Sequence, residues 1–153
     1  MPAQGLNTPY MPRADGVLIK SAPQKLALQG KMARIPFIIG NVKDEGTLFS
    51  LGSMNITTDA QFARYVGDNW FQGASQYELK SLLRLYPSDA AAGSPYDTGR
   101  QNAFTPQYKR IAALQGDWIF QVPRRMLLDT YSWTQPTYSF RKHSSLRNGP
   151  SSH

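Results

Sequence analysis

Arg34-Ile-Pro-Phe-Ile-Ile-Gly40-Asn-Val-Lys-Asp44-Glu45-Gly-Thr-Leu-Phe-Ser50 sets a short apolar run directly before two adjacent acids. Ile35 to Ile39 is rich in β-branched residues and suits a strand buried on both faces, the kind found inside a parallel sheet. Pro36 has no N–H to give a ladder, so the strand is expected to begin near Phe37. Gly40-Asn41 reads as the turn that ends it. Ligands and catalytic groups of open α/β sheets collect outside the carboxyl ends of strands. Glu45 is therefore a candidate catalytic carboxylate. Position alone favours the plainer reading, in which Asp44 and Glu45 sit at the positive end of a following helix.

Outside this segment the chain reads as one domain. It has 153 residues, 41% of them hydrophobic and 12% aromatic, enough for a core. No apolar run approaches the length of a membrane span, and Met1 to Asn7 has neither the charged start nor the apolar centre of a signal peptide. The absence of cysteine removes disulfide and thiol chemistry. A net charge of +7 and a pI near 9.8 raise the question of nucleic acid. The basic pairs argue against it. Lys109-Arg110 and Arg124-Arg125 fall on predicted helices and read as solvated faces, while Arg141-Lys142 and Arg147 fall in a tail. No Gly/aromatic RNA-binding signature or metal-finger spacing accompanies them, and two histidines without cysteine offer no metal-ligand cluster.

Taken in order, residues 1–12 are an irregular lead-in, and Asp15 to Lys20 a turn followed by a short strand or extended segment. Ala22 to Gly30 is a helix candidate, with Pro23 in its first turn and Gly30 at its end. Asn55-Ile56-Thr57 is an N-glycosylation sequon. Thr58-x-x-Gln61 and Ser75-x-x-Glu78 are capping boxes. The first opens a helix with Phe62, Tyr65 and Val66 on one face. The second opens a helix with Leu79, Leu82, Leu83 and Tyr86 on one face, stopped by Pro87. Thr105-Pro106 reads as cap and first position of a helix running through Ile111 and Leu114 towards Phe120, which Pro123 should kink or restart. Thr137 to Phe140 has strand composition.

Ile38-Ile-Gly-Asn-x-x-Asp44-Glu45-Gly-Thr-Leu-Phe49 resembles the acid-bearing segment of the type-B carboxylesterase/lipase family, in its fungal lipase branch. The resemblance runs from about Asp15 to Phe140. It includes Gly93-Ser-Pro-Tyr-Asp-Thr-Gly99 and Thr105-Pro-Gln-Tyr-Lys-Arg-Ile-Ala-Ala113. It implies a partial α/β-hydrolase fold, an α/β class with a few parallel strands and a helical region, over residues 1–140. A basic, Ser-rich tail, 141–153, is expected to be disordered. It makes Glu45 the acid of a Ser-Glu-His triad and sets Leu48 and Phe49 beside an acyl pocket, with ordinary core packing as their alternative. The substrate class is an ester or lipid, no cofactor is implied, and family members are typically secreted.

The other triad members are missing from these residues. No Gly-x-Ser-x-Gly elbow occurs; Ser50 precedes Leu51-Gly52, but Leu48 stands where the first glycine should. The family carries its serine upstream of this segment and its histidine on a later Gly-x-x-His. His143 has no such glycine, and His153 follows Gly149 one position too late. Both read as tail residues. The expectation is a truncated or mis-assembled lipase product, inactive alone and prone to self-association. The alternative is a non-catalytic esterase-like interaction module.

Overall fold

The computed structural model describes residues 12–143. Residues 1–11 and most of the expected tail, Arg147 and His153 included, lie outside the described residues.

Strand β1, Phe37–Val42, pairs in parallel with β2, Thr137–Lys142, in a register running from Phe37 opposite Thr137 to Val42 opposite Lys142. Start and parallel pairing match the sequence reading, but two expectations do not hold. Gly40-Asn41 does not end the strand, which continues to Val42 and turns at residues 43–45. Gly40 serves a close approach instead. A Cβ there would lie 2.3 Å from the Phe140 ring opposite it. Nor is the strand buried on both faces. Ile38 is 70% exposed, and with Val42, Tyr138 and Phe140 it forms an open apolar face. Side chains alternate along a strand, so these residues share one side. The other side carries Phe37, Ile39 and Ser139 and meets a helix described below. Among the described residues, helices lie on one side of the two strands and nothing covers the second.

Helix α1, Pro23–Leu28, has proline in its first turn, and Gly30 follows it at φ +72°. The preceding segment is a tight turn rather than an extended run. Asp15 and Gly16 donate their N–H groups to the Ile19 carbonyl, and Asp15 Oδ1 accepts from Val17 and Ile19. Helix α2, Gly46–Ser50, follows β1 and runs into a 3₁₀ turn, Leu51–Ser53. Helices α3, Asp59–Asn69, and α4, Gln76–Leu85, both open with reciprocal capping boxes at Thr58/Gln61 and Ser75/Glu78. Their apolar faces build the core. Ile56, Phe62, Tyr65, Val66, Ile111 and Leu114 are buried together, with Leu79, Leu82, Leu83 and Tyr86 packed against them.

Helix α5, Tyr108–Gln115, starts later than Thr105-Pro106 suggests, with Gln107 at its N-cap. Thr105 gives its carbonyl to the Tyr108 N–H, and its hydroxyl has no partner among the described residues. The start is fixed through space, by Gln107 Nε2 donating to Asp59 Oδ1 at 2.9 Å. A π-helical segment, Gly116–Gln121, joins α5 to α6, Val122–Tyr131. Pro123 thus stands where the wide turns revert to α, at the start of the new helix, where its missing N–H costs least. Helix α6 lies beside β2 on the side that carries Ser139, with Arg124 donating to Ser139 Oγ at 2.6 Å, while Phe37 and Ile39 of β1 are half-buried and Ser139 stays exposed.

The basic pair on α5 is not a solvated face. Lys109 is 1% exposed, and its Nζ donates to Thr98 Oγ1 and the Gly99 carbonyl, both at 2.7 Å. Burial lowers its pKa. Arg110 bonds Asp59 at 2.9 Å and the Leu83 carbonyl at 3.3 Å, and its guanidinium lies 4.3 Å from the centre of the Phe62 ring. These cations hold loops and helices to the core. Arg125 is exposed, as expected.

Candidate active site

The turn at 43–45 gives its two acids different work. Glu45 occupies the N-cap position of α2 but makes no side-chain cap. Its carboxylate folds back instead, and Oε1 accepts the Val42 N–H at 2.8 Å. The N–H groups of Phe37 and Lys43 point to β2, bonding the Pro136 and Lys142 carbonyls. Alternation turns the Val42 N–H to the opposite edge. The half-buried Glu45 therefore lies at the outer edge of β1, just beyond its carboxyl end. Asp44 is committed elsewhere. Its Oδ1 accepts from Ser94 Oγ and the Tyr96 N–H, both at 2.8 Å, and its carbonyl accepts from Thr47 Oγ1 at 2.8 Å. It fastens the Gly93–Gly99 loop, which carries a cis Ser94–Pro95 bond, to the strand end. Neither carboxylate caps the helix.

Gly46 lets α2 cross the α5–π junction backbone to backbone. A Cβ there would stand 1.9 Å from the Ala112 carbonyl oxygen and 2.7 Å from the Gly116 nitrogen. Tyr108 closes the crossing, its hydroxyl donating to the Thr47 carbonyl at 2.8 Å. The two candidate substrate residues part company on α2. Leu48 is 69% exposed, while Phe49 stacks on Phe120 of the π segment at 5.7 Å between ring centres. Asn55 is exposed in the turn before α3.

Around the loop lies a polar network that sequence reasoning missed. Lys43 pairs with Asp97, whose pKa is lowered by that hydrogen bond and charge, with weaker help from His143 and Arg141. The Tyr86 hydroxyl donates to Asp117 at 3.2 Å. Burial first, then the charges of Asp117 and Asp44, pushes the Tyr96 phenol up to about 12; burial and Asp117 raise Tyr86 further. His143 is exposed past β2 and makes no hydrogen bond to Glu45. The string Gly93–Gly99 signals the loop; only the fold supplies its partners. Among the described residues, no three His, Cys, Asp or Glu side chains group to hold a metal, and no helix is long and apolar enough to cross a membrane.

Helices around a parallel strand pair, with a carboxylate off one strand's carboxyl end, define an α/β protein with a candidate acid in the usual place for such sheets. Known proteins narrow this class. The chain is 48% identical over 126 residues to Lipase 4 of Diutina rugosa, covering 82% of this chain and 23% of the relative. It is 43% identical over 128 residues to Secreted lipase 1 of Botryotinia fuckeliana, covering 84% and 22%. It is 41% identical over 129 residues to Lipase 2 of Geotrichum candidum, covering 82% and 23%. No family model matches. The chain belongs to the fungal lipase/carboxylesterase family as a segment, spanning under a quarter of the length of the curated relatives it matches.

Proposed function

We propose that this chain is the acid-bearing part of a carboxylic-ester hydrolase with an α/β-hydrolase fold, and that Glu45 is the acid of its Ser-Glu-His triad. One observation carries the assignment. Of two adjacent carboxylates, Asp44 is tied to Ser94 and Tyr96, while Glu45 lies off the carboxyl end of a parallel strand with its carboxylate turned to the strand edge. In a triad the acid accepts a hydrogen bond from the histidine ring, holds the required tautomer and stabilises the imidazolium. Esters of lipids are the proposed substrate, with Leu48 and Phe49 beside the acyl chain and Asn55 as a glycan site. The sequence boundary at residue 140 moves two residues on, because β2 runs to Lys142; the catalytic unit is assigned to residues 1–142, with 143–153 as the tail.

The test is a chimaera in which residues 15–140 replace the matching segment of Diutina rugosa Lipase 4, assayed on tributyrin. The chimaera should be active. Glu45→Gln should lower its turnover about 10⁴-fold, roughly 5 kcal/mol of barrier, by analogy with acid-to-amide changes in serine proteases. An equal or greater loss in Asp44→Asn would move the assignment to the other acid. The chain by itself, with no Gly-x-Ser-x-Gly in its 153 residues, should turn over no activated ester above background. Turnover that survives purification and vanishes in Glu45→Gln would overturn that.

A further inference from the structure

We infer that the segment from Arg13 to Arg34 is an interfacial anchor for a negatively charged lipid surface, apart from the Glu45 site. The turn closed by Asp15 on Val17 and Ile19 holds two large aliphatic side chains at its tip, Val17 at 77% and Leu18 at 87% exposed. Exposed aliphatics at the tip of a structured turn are a device for entering an apolar phase without unfolding. Beside the tip lies an open groove of about 630 Å³ between the turn and α1, and Leu18, Leu26, Lys20, Lys25 and Lys31 line it.

The charges decide what it faces. Residues 12–34 carry Arg13, Lys20, Lys25, Lys31 and Arg34 against the one carboxylate of Asp15. That carboxylate is turned onto its own turn's amides, which lower its pKa, and none of the three lysines has an acidic partner among the described residues. Contrast Lys43, Arg100 and Arg110, each paired with an aspartate. Aliphatics at the tip with unpaired ammonium groups alongside match the boundary of an anionic bilayer, where apolar groups enter and cations meet headgroups. Nucleic acid would use the lysines and leave Val17 and Leu18 idle.

The full chain is mixed with phosphatidylcholine vesicles, either pure or with about a third phosphatidylserine, and co-sedimentation is measured. Binding should require phosphatidylserine and weaken with added salt. Lys20→Gln/Lys25→Gln/Lys31→Gln should reduce affinity about 100-fold, roughly five-fold per lysine. Val17→Ser/Leu18→Ser, which keeps every charge, should reduce it about 10-fold or more. Far-ultraviolet circular dichroism should be unchanged in both variants, since all five side chains are at the surface. Equal binding to both vesicle types, no binding, or full binding by the triple variant would overturn the inference. So would tighter binding to duplex DNA that the Val17/Leu18 variant leaves intact.

Discussion

A methyl group at Gly46 would meet the Ala112 carbonyl at 1.9 Å, and that neighbour is backbone, which cannot rotate aside. Gly46→Ala should therefore lower stability by roughly 2–3 kcal/mol, read from thermal or urea unfolding. Gly67→Ala is the contrast. It sits within α3 and its Cβ would touch only a Leu79 methyl, so helix propensity should make it neutral or stabilising by up to about 1 kcal/mol. Asp44→Ala abandons two hydrogen bonds to one carboxylate oxygen and should cost roughly 3 kcal/mol; Asp44→Asn, which can still accept both, about 1 kcal/mol. The glycine and the two acids could be picked out in the sequence because they stand in one short motif. Which acid does what could not. The answer lies with Ser94 and Tyr96, fifty residues away in the chain.

Elements whose start signals are local were legible. Both capping boxes form as read, because Thr58/Gln61 and Ser75/Glu78 satisfy each other within three residues. The start of α5 was not legible, since Gln107 answers to Asp59 across the fold and Thr105 has no such partner. The π segment has no sequence signature beyond Pro123 after it. It carries Asp117 to Tyr86 at the end of α4, with Tyr96 of the loop close by. This junction predicts an alkaline weakness. The two phenols have folded pKa values above the usual 10, so the unfolded chain releases their protons first as pH rises. Their contribution is complete below pH 10 and, for Tyr96, is lost as pH climbs to about 12. Unfolding midpoints in urea should fall across that range, and fall less in Tyr86→Phe/Tyr96→Phe. A decline just as steep in the double variant would assign it to other groups.

For the molecule as a whole, the uncovered side of the strand pair should drive association between copies. Ile38, Val42, Tyr138 and Phe140 form an apolar strip beside the edge of β1 that no strand among the described residues pairs. Size-exclusion chromatography should show concentration-dependent oligomers, shifted towards monomer by Ile38→Glu. A monomer at every concentration would contradict this. The parallel partner was legible in the apolar run at 35–39, but the covering of its second face was not. Such a run reports burial on both sides, and among the described residues helical residues meet the strand pair on one of them. A different consequence follows from the register. Phe37 meets Thr137 one hundred positions along, and so do the other strand pairs. Tyr131 reaching the Ala27 carbonyl and Gln135 reaching that of Ile35 span similar distances. The core from Ile56 to Leu114 is assembled from nearer neighbours. Ring closure over so long a loop comes late and is undone early. In heavy water, then, the amides of 37–42 and 137–142 should trade hydrogen for deuterium well before those of α3 and α5, through an opening that leaves the helical core protected.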